Sequence, residues 1–322
     1  MKDTVMIMAI KEALAEEMEK DEKVFIIGED VQQGTFGATA GLIKQFGKER
    51  VMDTPLAETA VAGAAIGSAM AGFRPVADMM FADFIWIAGN EIFLNAAKWH
   101  FIHAGRVNVP VVFMAAMGGG FKLGAEHSQA PASTPMHTPG IKVVVPSTPY
   151  DAKGLLTAAM RDNNPILFIE HKVLYGMEGP VPEEEYLVPL GKAEVKKEGS
   201  DITLISYSLM LQKTLAAAEE LAGAGINAEV VDLRTLSPLD HDTLAQSVQK
   251  THKAVVIQEA YESAGVASLV IKSLMESSFD YLDAPIKTVA APDTVIPFSP
   301  PLEDAMLPDE AKIVQAAKEV AQ

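Results

Sequence analysis

Residues 24–30 read Val24-Phe25-Ile26-Ile27-Gly28-Glu29-Asp30, an unbroken apolar run that stops at a glycine and two acids. A continuous rather than alternating run of this kind predicts a strand buried on both faces. Similar runs occupy Val109 to Met114, Ile141 to Val145, Ile166 to Ile169, Ile202 to Ile205, Ala228 to Val231 and Ala254 to Ile257. Helical patterns accompany them at Ile10 to Glu19, Asp151 to Arg161 and Gln212 to Ala224. Strand and helix in alternation predict an α/β protein with mostly parallel sheets. Ligands of such sheets gather at the carboxyl ends of strands, which is where Glu29 and Asp30 fall. A solvated loop is the plainer explanation of two acids after a strand.

The chain is 322 residues long, enough for two domains with cores of their own. The stretch from Tyr175 to Pro189 carries Pro180, Pro182, Pro189 and the run Glu183-Glu184-Glu185. Proline restricts itself and its predecessor, so an extended connector is expected there, with domains 1–190 and 191–322. Cysteine is absent, which excludes a disulfide framework, a thiolate metal site and a cysteine nucleophile. The 43 acidic against 26 basic residues give a net charge of −17, which repels phosphate backbones and argues against nucleic-acid binding. Met1-Lys2-Asp3-Thr4 runs into an acidic amphipathic stretch, and the apolar stretch Ala60 to Phe73 is too short to span a bilayer. A cytoplasmic protein with no membrane partner is expected.

Several positions could carry chemistry. Glu58 opens a helix of small residues in which Gly63 and Gly67 are four apart. An acid there is favoured by the helix dipole, so a structural cap is one reading. Two glycines at one-turn spacing each cost the helix roughly 1 kcal/mol against alanine, which points to another backbone packed on that face. Gly118-Gly119-Gly120 follows a strand, but it lacks the endings that make a glycine loop a phosphate cradle, so a tight turn or active-site loop fits better. His127, close to that loop, is the histidine best placed for acid or base work, although a lone histidine is usually structural. His100 and His103 have no further spaced ligand pair and make a poor metal site. Arg161-Asp162-Asn163-Asn164-Pro165 is a polar turn whose carbonyls could hold a monovalent cation.

Taken in order, the segments resemble the β subunit of the thiamine-diphosphate-dependent 2-oxoacid (pyruvate or branched-chain) and acetoin dehydrogenases. The resemblance rests on G-E-D-V at 28–31, D-T-P-L-A-E at 53–58, H-S-Q at 127–129 and P-G-I-K-V-V at 139–144. It continues through P-S-T-P-Y-D-A-K-G-L-L at 146–156, R-D-N-N-P at 161–165, L-Y-G at 174–176, D-L-R-T-L-S-P-L-D at 232–240, and A-A-P-D-T with P-F within 290–298. It implies a pyrimidine-type parallel-sheet domain that binds thiamine diphosphate, followed by a transketolase C-terminal-like α/β domain.

By the same resemblance, Glu58 matches the acid that hydrogen-bonds the aminopyrimidine ring nitrogen and favours the tautomer that deprotonates the thiazolium. Phe84 and Leu56 match residues lining the cofactor, Glu29 an acid near the thiazolium, and His127 a histidine that positions substrate and acyl group. Val111, Ala159, Asp162 and Asn164 match a potassium site built largely of carbonyls. No Gly-Asp-Gly diphosphate motif occurs in the chain. An α subunit is therefore expected to hold Mg²⁺ and the diphosphate in an α₂β₂ enzyme that passes the acyl group to a lipoyl acyltransferase core. The substrate is expected to be a small 2-oxoacid or acetoin. The chain also departs from the family: Met114 stands where an arginine is usual, Asn90-Glu91 where Asp-Gln is usual, and Ala130 to Met136 lacks the usual aromatics. The rival readings are a non-catalytic β-like chain that holds an α partner, and a self-contained transketolase-like enzyme.

Overall fold

The computed structural model describes residues 1–321, which divide into two units. The first takes in Met1–Met117 and Thr134–Leu190, and the second Gly118–Ser133 and Gly191–Gln322.

The strands of the first unit are β1 (Lys2–Val5), β2 (Val24–Gly28), β3 (Val51–Asp53), β4 (Arg74–Phe81), β5 (Val112–Met117), β6 (Lys142–Val144), β7 (Ile166–His171) and β8 (Glu178–Val181). Helices α1 (Met6–Lys20), α2 (Leu42–Phe46), α3 (Glu58–Met70), α4 (Ala97–Ile102), α5 (Ser133–Met136) and α6 (Pro149–Arg161) lie along the same stretch of chain. Within this unit six strands run in the order β6-β7-β5-β4-β2-β3, and every pairing among them is parallel. All five residues of β2 and all six of β7 are buried, as continuous apolar runs require. Helix α6 starts where Thr148 accepts the Asp151 N–H at 3.1 Å and Pro149 fills the first turn, a local arrangement that fixes its first residue. It packs on α1, where Arg161 grips the buried Glu17 through Nε at 2.8 Å and Nη2 at 2.6 Å.

Parts of the expected outline shift. The run beginning at Val109 becomes a strand only from Val112, because Pro110 has no N–H to give to a ladder. Within the connector, Glu178–Val181 is an edge strand antiparallel to β1, with Pro180 opposite Asp3. Proline is tolerated at such an edge.

In the second unit β9 (Glu194–Lys197), β10 (Ile202–Ser206), β11 (Ala228–Asp232), the short β12 (Thr235–Ser237), β13 (Ala254–Tyr261) and β14 (Lys287–Ala291) alternate with α7 (Leu209–Gly223), α8 (His241–Thr251), α9 (Val266–Ser277), α10 (Pro300–Met306) and α11 (Glu310–Ala321). Its sheet has the order β14-β13-β10-β11-β9, parallel except for the antiparallel edge strand β9. Helix α7 packs with α11, and α8 with α9. Leu204, Leu211, Leu221, Val230, Ile257 and Ile313 form the centre of one core cluster.

The strand order of the first sheet reverses at β2. From β2 the chain moves outward to β3, then returns through α3 to β4 on the other flank. A crevice opens beyond the carboxyl ends of strands at such a reversal. The two strands approach closely there: Gly28 pairs with Asp78, and a Cβ on Gly28 would lie 2.6 Å from the Asp78 carbonyl oxygen. Gly28→Ala should therefore destabilise the chain by about 1–3 kcal/mol, read by urea unfolding, because backbone must move to admit one methyl. A change within a few tenths of a kcal/mol would show that β2 and β4 can separate freely.

Candidate active site

At the reversal, a small cleft is lined by Glu29, Pro55, Ala57, Glu58, Val61, Asp78, Met79 and Met80. Glu29 follows β2 directly, Glu58 is the first residue of α3, and the other acid, Asp78, lies within β4. Sequence reasoning named Glu29 and Glu58 and missed Asp78. The available signal was a single acid inside the apolar stretch Val76-Ala77-Asp78-Met79-Met80-Phe81.

Strand β4 is irregular at this point. Its register with β5 slips between Asp78 and Phe81, and Met80 adopts φ 59°. A non-glycine residue held in that region stores backbone strain, which tends to gather at functional sites. Asp78 supports it, accepting the Met80 N–H at Oδ1 over 2.9 Å. Burial, opposed by that hydrogen bond and reinforced by the charge of Glu29, pushes the Asp78 carboxyl up to about 6. Glu29 is itself raised by burial and by the charges of Asp30 and Glu58.

A fourth acid lies close to the group. Asp78 pairs in register with Met114 of β5, and Ala116, two residues on, pairs with Glu170 of β7. Glu170 is buried, its Oε2 has no hydrogen-bond partner, and Tyr175 Oη lies 3.5 Å from Oε1. Burial first, and the charge of Asp78 second, raise Glu170 well above the carboxylate range. Neither Asp78 nor Glu170 is in an ion pair among the described residues. Met114, paired with Asp78 in the neighbouring strand, brings no charge to offset it, and burial moves both acids toward the protonated form.

The other expected residues fall as follows. Phe84 is in the single turn of 3₁₀ helix Ala82–Trp86 that follows β4, half-buried and edge-on to Phe81 at 5.7 Å. Leu56 is 73% exposed in the loop before α3. His127 belongs to the second unit, in the Gly118–Ser133 segment. Val111, Ala159, Asp162 and Asn164 gather around the end of α6, and three of their carbonyls already accept hydrogen bonds. Val111 accepts the Ile166 N–H at 2.9 Å, Ala159 the Asp162 N–H at 3.2 Å, and Asp162 the Arg74 guanidinium at 2.9 Å. Arg74 also donates to the Met160 carbonyl at 3.0 Å and the Asn163 side chain at 2.8 Å. No group of three or more His, Asp or Glu residues suited to a metal occurs among the described residues.

Gly63, Ala64 and Gly67 form an exposed stripe on α3, and a Cβ at Gly67 would meet nothing within 4 Å. Beside α3 lies a π-helical turn, Asn90–Ala96, that runs into α4. Trp86, Ile87, Leu94, Phe101 and Ile102 are exposed in this part of the chain, Phe101 by 89%.

The chain that builds this parallel sheet, its carboxylate-lined pocket and the second α/β unit falls among the transketolase-type thiamine diphosphate proteins by its sequence. Residues 2–178 match the family described as transketolase, pyrimidine binding domain, and residues 191–313 match transketolase, C-terminal domain. The chain is 47% identical to the 2-oxoisovalerate dehydrogenase subunit beta of Bacillus subtilis, covering 98% of this chain and 97% of that one. It is 46% identical to the pyruvate dehydrogenase E1 component subunit beta of the same organism, with 99% of each covered. Against the acetoin:2,6-dichlorophenolindophenol oxidoreductase subunit beta of Cupriavidus necator it is 45% identical, covering 97% and 95%. It therefore belongs to the β subunits of the thiamine-diphosphate-dependent 2-oxoacid and acetoin dehydrogenases. The fold also matches a solved split-gene transketolase, described as an inactive beta4 tetramer, with a TM-score of 0.81 at 24% identity over 97% of this chain and 96% of that one.

The raised Asp78 carboxyl has a definite effect on stability. Below about pH 3, Asp78 is largely protonated in both folded and unfolded chains, and burial costs little. Between its ordinary 3.8 and about 6 the unfolded chain ionises first, so stability falls as pH rises, and the loss is complete above about 6. Asp78→Asn keeps an acceptor for Met80 and should stabilise the chain at about pH 8 by on the order of 2 kcal/mol, with the gain gone at about pH 3. Urea unfolding at both pH values checks this; an equal effect at each would show that the charge is not the cause.

Proposed function

We propose that this chain supplies the pyrimidine half of a thiamine diphosphate site, with Glu58 as its essential acid, in an enzyme completed by an α subunit. The observation that carries this reading is the placement of Glu58 at the strand-order reversal, in a cavity walled by Pro55, Ala57, Val61 and Met79. An aminopyrimidine is flat and needs one carboxylate at its ring nitrogen, and Glu58 stands among the apolar side chains of Pro55, Ala57, Val61 and Met79. The N-terminus of α3 favours negative charge on Glu58. When bound, thiamine diphosphate supplies an acidic thiazolium carbon that adds to carbonyl groups. Glu58 would hold the proton at the pyrimidine nitrogen, Phe84 and Leu56 would line the ring, Glu29 would stand by the reacting end, and His127 would position the substrate and its acyl group by hydrogen bonding.

The remaining assignments follow from the family. Residues 1–190 form the pyrimidine-binding domain with its connector, and residues 191–322 the transketolase C-terminal-like domain. The chain lacks Gly-Asp-Gly, so the α subunit holds Mg²⁺ and the diphosphate in an α₂β₂ heterotetramer. The substrate is a small 2-oxoacid or acetoin, and a lipoyl acyltransferase core takes the acyl group. The enzyme works in the cytoplasm; no helix among the described residues is long and apolar enough to cross a membrane. Potassium fits less well than the other groups. Arg74 already places a fixed cation on the Asp162 carbonyl that the ion would share, so no step is assigned to it.

The test is Glu58→Gln, assayed in the complex with the α subunit at saturating thiamine diphosphate and Mg²⁺. Turnover should fall about 100-fold or more, and exchange of the thiazolium proton, followed by NMR, should slow with it, while the urea midpoint stays put. Near wild-type turnover would remove Glu58 from the chemistry.

The outward glycines give a separate expectation. Among the described residues a Cβ at Gly67 would meet no atom within 4 Å beyond its own helix's backbone, so Gly67→Leu should leave protomer stability intact or slightly raised through better helix propensity. If α3 meets another subunit there, overpacking of about 1–3 kcal/mol per contact should dissociate the heterotetramer in sedimentation. A fully assembled mutant would place the subunit contact elsewhere.

A further inference from the structure

The glycine-rich segment that carries His127 is anchored by two acids of the second unit. Four of its residues have left-handed backbones: Gly118 at φ 94°, Gly120 at 99°, Lys122 at 61° and Gly124 at 77°. A loop so rich in glycine has much conformational freedom to lose, and something must hold it. The Gly118 N–H donates to the Gln129 carbonyl at 2.9 Å, closing the loop around His127. The next two amides point at carboxylates: Gly119 N–H donates to Glu259 Oε1 at 2.7 Å, and Gly120 N–H to Glu303 Oε1 at 2.8 Å.

Both acids are buried, Glu303 completely, on α10, and Glu259 at 7% exposure, on β13. Lys122 Nζ lies 2.9 Å from Glu303 Oε2 and also contacts Asp304, so the loop returns a cation to the acid that holds it. Packing closes the same contact. A Cβ on Gly119 would lie 2.7 Å from Leu307 Cδ1 and 3.0 Å from Glu303 Oε1, and one on Gly124 would fall 2.3 Å from the Phe298 ring.

We propose that Glu259 and Glu303 form a carboxylate clamp that orders the Gly118–Gln129 loop, and that they are positioning residues for the reaction through His127. Successive backbone N–H groups make a concavity suited to an anion. Here the anions are the protein's own side chains, so the glycine run serves as an anchor and its donors are unavailable to a phosphate. Hydrogen bonds to a charged acceptor are roughly twice as strong as neutral ones, which suits a loop with few side-chain contacts. The link to catalysis rests on the role proposed for His127; the clamp itself does not.

Amide hydrogen exchange on the full-length chain, resolved to peptides within 118–129, tests the clamp. Glu303→Gln and Glu259→Gln keep the size of the acid and remove its charge. Gly119→Ala leaves both acids intact and pushes the loop off Leu307. Exchange in the loop should accelerate about tenfold or more in each variant, with peptides from β10 and β11 unchanged. Unchanged loop exchange in all three folded variants would overturn the clamp. In the complex with the α subunit, Glu303→Gln should raise KM for the oxo substrate at least about threefold, with affinity for thiamine diphosphate and Mg²⁺ unchanged. A loosened loop with wild-type KM and kcat would overturn the positioning role. His127→Ala separates the two readings: wild-type turnover there defeats the role of His127, while the clamp stands or falls on exchange alone.

Discussion

The contact between β2 and β4 at Gly28 and Asp78 is the constraint from which the site of the first unit follows. These are the strands at which the sheet order turns back, and the backbones approach so closely that position 28 has no room for a methyl group. That approach sets Glu29 next to Asp78, and the return crossover through α3 brings Glu58 to the same cavity. Three acids on three different segments share one small volume because the chain crosses back over itself there. The strained backbone at Met80 and the slipped register beside it are local adjustments to that crossing.

The protein handles buried carboxylates in two opposite ways. Along β4 and β7, Asp78 and Glu170 are in no ion pair among the described residues, and burial drives both toward the neutral acid. In the second unit, Glu303 is more deeply buried, yet it has a backbone donor and Lys122. A buried charge without partners is relieved by taking a proton, whereas one with donors and a counter-ion serves as a strong anchor. The same residue type is thus a proton holder in one unit and a tether in the other, and the difference lies in what each neighbourhood donates.

Much of the framework was legible in the sequence because buried parallel strands must be continuously apolar. Ile166 to Ile169 and Ile202 to Ile205 could hardly be anything else. Strand β4 escaped notice because it opens on Arg74-Pro75 and carries an acid at Asp78, so its apolar run is broken at both places. The loss mattered, since the pocket's third acid went with it. Glu58 and Glu29 were found through an ordered family resemblance and their positions beside a helix start and a strand end, both of which are local signals. The anchors of the glycine loop were out of reach. Glu259 and Glu303 are 140 and 183 residues from their donors, and nothing in the local pattern of either marks it as a partner of Gly119 or Gly120. The turn at Asp162 shows the same limit, because the guanidinium that caps it comes from residue 74.

The glycine stripe of α3 and the apolar side chains exposed near it also bear on the life of the chain in the cell. Large exposed apolar patches are what chaperones and proteases recognise on incomplete assemblies. A protomer made in excess would carry Phe101 and Ile102 uncovered beside a helix face that has no side chains to shield its own backbone. Its lifetime would then be set by how soon a companion chain arrives. The amount of finished enzyme would follow the scarcer of the two polypeptides, and surplus copies of the other would be cleared without a dedicated regulator.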